Sequence, residues 1–122
     1  MKLTLTLFFS MLLLDYIYFS IMGKELMSIF SKIQKDDVTI NYKSMALCYI
    51  LMAVSLAYFI KNKRISPFDA FILGILVYGV FELTNYTVFK NWPISVVIYD
   101  TLWGGFLFYT CVHIIKSLNI HS

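Results

Sequence analysis

The chain has 122 residues, of which 60% are hydrophobic and 14% charged, with a formal charge of +3. An average soluble domain is about 25% charged, and a soluble fold this small cannot hide so much apolar surface, so lipid must solvate part of it. The length fits one domain, and lysines in short loops between apolar runs point to lipid headgroups and exclude the basic face of a nucleic-acid binder.

Met1-Lys2 followed by an apolar run has the outline of a secretion leader. The run extends to Met22, carries Asp15 in its second half and lacks an A-x-A cleavage pattern, so Leu3 to Met22 is expected to be a retained membrane helix. Lys24 to Asp37 is different. Leu26, Ile29, Phe30 and Ile33 recur at helical spacing while Lys24, Lys32, Lys35 and Asp36 take the other positions, which predicts a short amphipathic helix at the membrane surface or over the mouth of a bundle.

Three more spans follow, at about Tyr42 to Ile60, Phe68 to Phe89 and Pro93 to Ile115. Each is close to the roughly 20 residues that cross a hydrocarbon core as a helix, and lipid offers no partner for an unpaired backbone group. Ser66-Pro67-Phe68-Asp69 supplies a capping serine, a proline at the first helical position and an acid in the first turn. Pro93 opens the fourth span after the short turn Lys90-Asn91-Trp92, which makes the last two spans an antiparallel hairpin. Tyr42, Tyr58, Tyr86 and Trp92 suit the headgroup boundary. The expected fold is all-α, one integral membrane four-helix bundle over residues 1–122 with the short interfacial helix between spans one and two.

Lys2, Lys61, Lys63, Arg64 and Lys116 lie on one side of such a bundle, and Lys24, Lys32, Lys35, Lys43 and Lys90 on the other. The dense Lys61 to Arg64 cluster, in a short loop without acids, places both termini in the cytoplasm. Cys48 and Cys111 sit inside apolar runs without metal-ligand spacing and are expected to pack as small apolar residues.

Asp15, Glu82 and Asp100 each lie mid-span, with no lysine or arginine at similar depth. A charge near the bilayer centre costs roughly 3 kcal/mol on insertion scales, and such residues usually face a bundle interior or a wet cavity. Alternating topology puts Asp15 and Glu82 about 4 Å beyond the midpoints of their spans and Asp100 about 6 Å before that of its own. All three therefore fall in one half of the membrane, on the side of the amphipathic segment. Gly74, Tyr78, Glu82 and Asn85 form one stripe on the third span, continued by Thr84 and Tyr86. Asp100 shares a face with Val96, Trp103, Gly104 and Leu107, and Asp15 is in phase with Thr4, Phe8, Met11, Tyr18 and Met22. Gly74 and Gly104 permit close helix approach.

Three ionised carboxylates in one such pocket repel by about 4 kcal/mol per close pair at an effective dielectric of 20. Either some are protonated or a cation sits among them: a shared proton, a metal ion, an organic amine, or a snorkelling Lys24 or Lys90. A purely structural arrangement is a clamp of protonated acids hydrogen-bonded to Asn85, Tyr78, Tyr18 or the Trp103 indole. His113 lies towards the other end of the fourth span and reads as interfacial.

The stretch Gly74 to Gly104 carries Tyr78-Gly79, Glu82-Leu83-Thr84-Asn85, Thr87, Trp92-Pro93, Asp100 and Trp103-Gly104. It resembles a family of small membrane proteins, known chiefly from bacteria and classed as a domain of unknown function, whose pattern reads LGxxxYGxYDLTN, then a WP turn, then DxxWG. Leu14-Asp15 with Tyr18 is similar to its LDxxW element. The resemblance covers nearly the whole chain and implies a four-helix membrane protein without an assigned activity. Glu82 departs from the aspartate of that pattern, lengthening the arm by one methylene, and Tyr18 replaces a tryptophan.

Three function classes follow. The first is a small cation- or proton-coupled transporter, expected as a homo-oligomer, with Asp15, Glu82 and Asp100 binding the cation and Asn85, Tyr78, Trp103 and Tyr18 beside them. The second is a membrane enzyme or binding protein for a lipid-soluble ligand, in which two carboxyls act as acid and base and Trp103 holds an apolar group. The third is an accessory or assembly subunit of a membrane complex. No HExxH, GxSxG, Cys/His metal set or phosphate loop is present. The cofactor is left open; retinal or haem attachment is not expected, since no lysine lies mid-span for a Schiff base and no histidine pair faces inward for haem.

Overall fold

The computed structural model describes residues 1–35 and 41–120. Among them the chain forms four helices and no strand: α1 (Lys2–Gln34), α2 (Tyr42–Lys63), α3 (Pro67–Val88) and α4 (Ile94–Ser117). All four are long and apolar enough to cross a membrane. Local chemistry sets their ends. Asn41 caps α2 by accepting the Ser44 amide at 3.1 Å. Ser66 and Asp69 form a reciprocal capping box with Pro67 in the first turn of α3, so two otherwise unpaired amides are satisfied. Arg64 and Lys35 close α2 and α1 in left-handed conformation, with φ of 50° and 59°.

The expected separate interfacial helix does not form. α1 runs unbroken through Gly23 to Gln34, and Asp36 and Asp37 lie outside the described residues. The reason is that the helix stripe crosses Gly23 without a phase jump: Asp15, Tyr18, Met22, Leu26, Ile29 and Ile33 follow in three- and four-residue steps. At 33 residues α1 is long for a hydrocarbon core, about 50 Å against about 30 Å. Its last turns are stabilised by packing Leu26, Ile29, Phe30 and Ile33 on Trp92, Val96 and Val97 at the start of α4. The apolar spacing is real, but its partner is protein rather than the membrane surface.

α3 and α4 form the most extensive helix pair, and α1 packs on both α2 and α4. Glycines explain the closeness of the hairpin. A Cβ on Gly74 would collide with the Gly104 carbonyl, and one on Gly104 would meet the Tyr78 ring. Between helices without a hydrophobic drive to associate, such backbone approach supplies the dispersion contact that holds them. A large apolar cluster built on Leu3, Leu7, Met11, Leu56, Leu107, Cys111, Val112 and Ile115 fills the end of the bundle nearest the termini. A smaller one around Leu26, Trp92, Val96 and Val97 fills the opposite end. Between them lies a polar layer.

Hydroxyls on the outer surface need internal partners. Thr6, Ser20, Thr84 and Thr87 donate to the carbonyl four residues earlier in their own helices, so Thr84 and Thr87 satisfy themselves rather than extending a polar stripe. Thr101 Oγ1, at the α3–α4 seam beside Gly79, is buried without a hydrogen-bond partner.

Candidate functional site

The polar layer is assembled from all four helices. α1 contributes Asp15 and Tyr18, α2 Tyr49, α3 Tyr78 and Glu82, and α4 Asp100 and Trp103, all lining one cavity of about 280 Å³. Asp15 is 6% exposed and Glu82 1%, while Asp100 is half-buried. The antiparallel topology brings the acids to one level, because Asp100 lies about 10 Å into α4 from Pro93 and Glu82 about 9 Å before the end of α3.

Neutral aromatic donors hold the carboxyls. The Trp103 indole donates to Asp15 Oδ1 at 2.7 Å, and the Tyr49 hydroxyl donates to Asp15 Oδ2. The Tyr18 hydroxyl donates to Asp100. The Trp92 indole donates to Glu82 Oε1 at 2.8 Å. Glu82 and Asp100 line the same cavity, and two ionised carboxylates side by side repel, since neither has a hydrogen to give the other. Tyr18 and Trp103 stack with ring centroids 4.7 Å apart, so the same two rings that orient Asp100 and Asp15 also brace each other.

Of the residues expected at the site, Asp15, Tyr18, Tyr78, Glu82, Asp100 and Trp103 line the cavity. Asn85 is half-buried one turn beyond Glu82 and does not line it. Tyr78 packs edge-on against Phe108 and under Gly104. The snorkelling Lys24 lines a neighbouring groove rather than the chamber, and His113 stacks on Tyr109.

Two donors were not anticipated. Trp92, expected at the headgroup boundary with Tyr42, Tyr58 and Tyr86, is 7% exposed and turned inward. Tyr49 was not singled out at all, although a hydroxyl-bearing aromatic near the centre of an otherwise apolar span is the same kind of signal as Tyr18. Cys111 is buried in the large cluster, whereas Cys48 is exposed at the cavity wall rather than packed inside.

A second concavity, a groove of about 820 Å³ between α1 and α2, is lined by Leu12, Phe19, Met27 and Tyr42 with Lys24 at one end. It shares Asp15, Phe19, Phe30, Met45 and Tyr49 with the chamber, so Asp15 is reached from both.

A family model described as "Predicted membrane protein (DUF2177)" matches residues 1–115. The chain belongs to this family. No curated protein and no solved structure matches it. Membership agrees with four membrane-length helices and leaves the chemistry of the chamber to be argued from its own residues.

Proposed function

We propose that the chamber binds a cation and that the protein carries it, or a proton exchanged with it, across the bilayer. One observation carries this reading: three carboxyls from three helices share a cavity whose lining, among the described residues, includes no lysine, arginine or histidine. Had these acids been structural ion pairs, a basic side chain would accompany them. Phenol and indole donors orient a carboxylate but do not neutralise it, and a buried charge left uncompensated costs several kcal/mol. The charge must be balanced by protons or by a cation taken from outside, and the Glu82–Asp100 pair is the natural place for a bound proton. The stacked Tyr18 and Trp103 rings beside the acids add the π-faces that attract an organic ammonium.

A second reading draws support from the α1–α2 groove. Its largely apolar walls lead to Asp15, which suits a lipid-soluble molecule entering sideways from the bilayer, either as cargo or as a substrate for acid–base chemistry between two carboxyls. The Lys61 to Arg64 loop, with Lys2 and Lys116 on the same side, supports a topology with both termini in the cytoplasm. Four helices enclose little volume, which favours a path completed by a second copy.

The test is flux in proteoliposomes holding the full chain, with gradients of protons, sodium, potassium and a small organic ammonium. Glu82→Gln and Asp100→Asn are each expected to reduce flux of the transported ion at least tenfold. Unchanged flux of every ion in both variants contradicts the reading.

A further inference from the structure

At the opposite end of the bundle from the carboxyls, a cleft of about 440 Å³ opens where the C-terminal ends of α2 and α4 meet. Its floor is Ile60, Ile65, Ile115 and Ile120, and its rim is Lys61, Arg64 and Lys116, with Asn119 beside them. We propose that this cleft is a binding site for the headgroup of an anionic phospholipid, with the rim on the phosphate and the isoleucines against the first methylenes of the acyl chains.

Among the described residues the side chains of Lys61, Arg64 and Lys116 have no hydrogen-bonded or ion-paired partner. Asp69 is the acid whose field reaches Lys116, but its carboxylate is engaged by the Ser66 amide at 2.9 Å in the α3 capping box. Lysines near a helix C-terminus often serve its free carbonyls, and here that role is filled by backbone. The amides of Asn119 and Ile120 bond the carbonyls of Lys116 and Ile115 at 3.2 and 3.1 Å, with Asn119 left-handed at φ 57°. This is the paired closure that leaves a last-turn side chain free. The α2 and α4 dipoles contribute only about −0.5 charge each at these ends, so among the described residues, with Asp69 included, the balance around three cations stays positive.

Geometry also selects the ligand. The rim cations come from two helices that end at the membrane surface and converge on one concavity, whereas Lys63, beside them in sequence, does not line it. An apolar floor is wasted on a free anion and fits a molecule whose charge and hydrocarbon are joined. Arginine adds a planar fork matched to two phosphate oxygens. Basic pockets between membrane helices are a known physical solution for anionic headgroups, each basic residue near such a surface being worth about fivefold in affinity. This inference is independent of the carboxyl chamber.

Native mass spectrometry of the detergent-solubilised full chain, offered equal amounts of phosphatidylglycerol and phosphatidylcholine, reads the site directly. Retention of phosphatidylglycerol is expected to exceed that of phosphatidylcholine at least tenfold and to fall as salt rises. The triple variant Lys61→Gln, Arg64→Gln, Lys116→Gln is expected to erase the preference. The charge-preserving pair Lys61→Arg, Lys116→Arg keeps it, as does Lys24→Gln, Lys35→Gln, Lys90→Gln on the other face. Equal retention of the two lipids by the unaltered chain overturns the proposal without reference to any variant. So does an equal loss in the opposite-face triple. Displacement of phosphatidylglycerol by excess inorganic phosphate also overturns it, by assigning the cleft to a free anion.

Discussion

Near the termini the bundle is filled by Leu3, Leu7, Leu107, Cys111, Val112 and Ile115. A few turns further on, α1 and α4, now with α3, place Asp15, Asp100 and Glu82 around a cavity. Both regions are buried and both join several helices, yet their physical costs differ. Apolar packing needs no partner chemistry, whereas each carboxyl must be supplied with donors and a balancing charge. The protein supplies four aromatic donors, Tyr18, Tyr49, Trp92 and Trp103, to keep the second region in place. A bundle that required only cohesion has the first region as its model. The difference teaches that cohesion alone does not account for the acids, so that, on the function proposed above, stability and activity should separate along the helix axis.

The largest effect tests the seam common to both regions. Gly74→Val puts two methyl groups where even a Cβ meets the Gly104 carbonyl, and backbone cannot yield, so a loss of about 3 kcal/mol is expected, read as a collapse of the denaturation midpoint in detergent. A neutral Gly74→Val means that the hairpin is not packed this closely.

The next pair separates the regions. Leu107→Ala, at a fully buried position, should cost about 2 kcal/mol while leaving proteoliposome flux per folded molecule within twofold. Glu82→Gln should do the reverse. Glutamine keeps an oxygen for the Trp92 indole and gains an N–H for Asp100, so stability is expected to stay within about 1 kcal/mol while flux is lost. If Leu107→Ala abolishes flux and Glu82→Gln unfolds the protein, the division of labour is wrong.

Trp103→Phe removes one donor from Asp15 and keeps most of the ring stacked on Tyr18. A cost of about 1 kcal/mol is expected, since hydrogen bonds between membrane helices average about 0.6 kcal/mol and one acceptor here keeps Tyr49. The smallest effect concerns α1. A Cβ on Gly23 meets only ordinary contact with Phe19 at 3.8 Å, so Gly23→Ala should stabilise a continuous helix by about 0.5 kcal/mol. Destabilisation by Gly23→Ala would restore the break between a span and an interfacial helix.

Much of this arrangement is legible in sequence because lipid imposes simple rules. Spans of about twenty apolar residues, a Ser66–Asp69 cap and the tight Lys90–Trp92 turn are local, and they settle the topology. Topology then places the three acids at one depth without any knowledge of packing. What was not legible depends on contacts between elements distant in sequence. The stripe from Leu26 to Ile33 announces an apolar partner but not whether that partner is headgroups or Trp92 and Val96. The same applies to Trp92, whose position in a turn suits either the interface or Glu82. Tyr49 becomes a donor to Asp15 only once α2 lies beside α1, and Asn85 drops out because it lies one turn past the cavity.

Whether the three carboxyls form one electrically connected chamber is tested most directly by the infrared carboxyl stretch of the folded protein. Replacing Asp100 by Asn should remove its own band and also displace that of Glu82, because the two carboxyls line one cavity and act on each other electrostatically. A spectrum that loses only the Asp100 contribution, with the remaining carboxyl bands unmoved, would contradict the account.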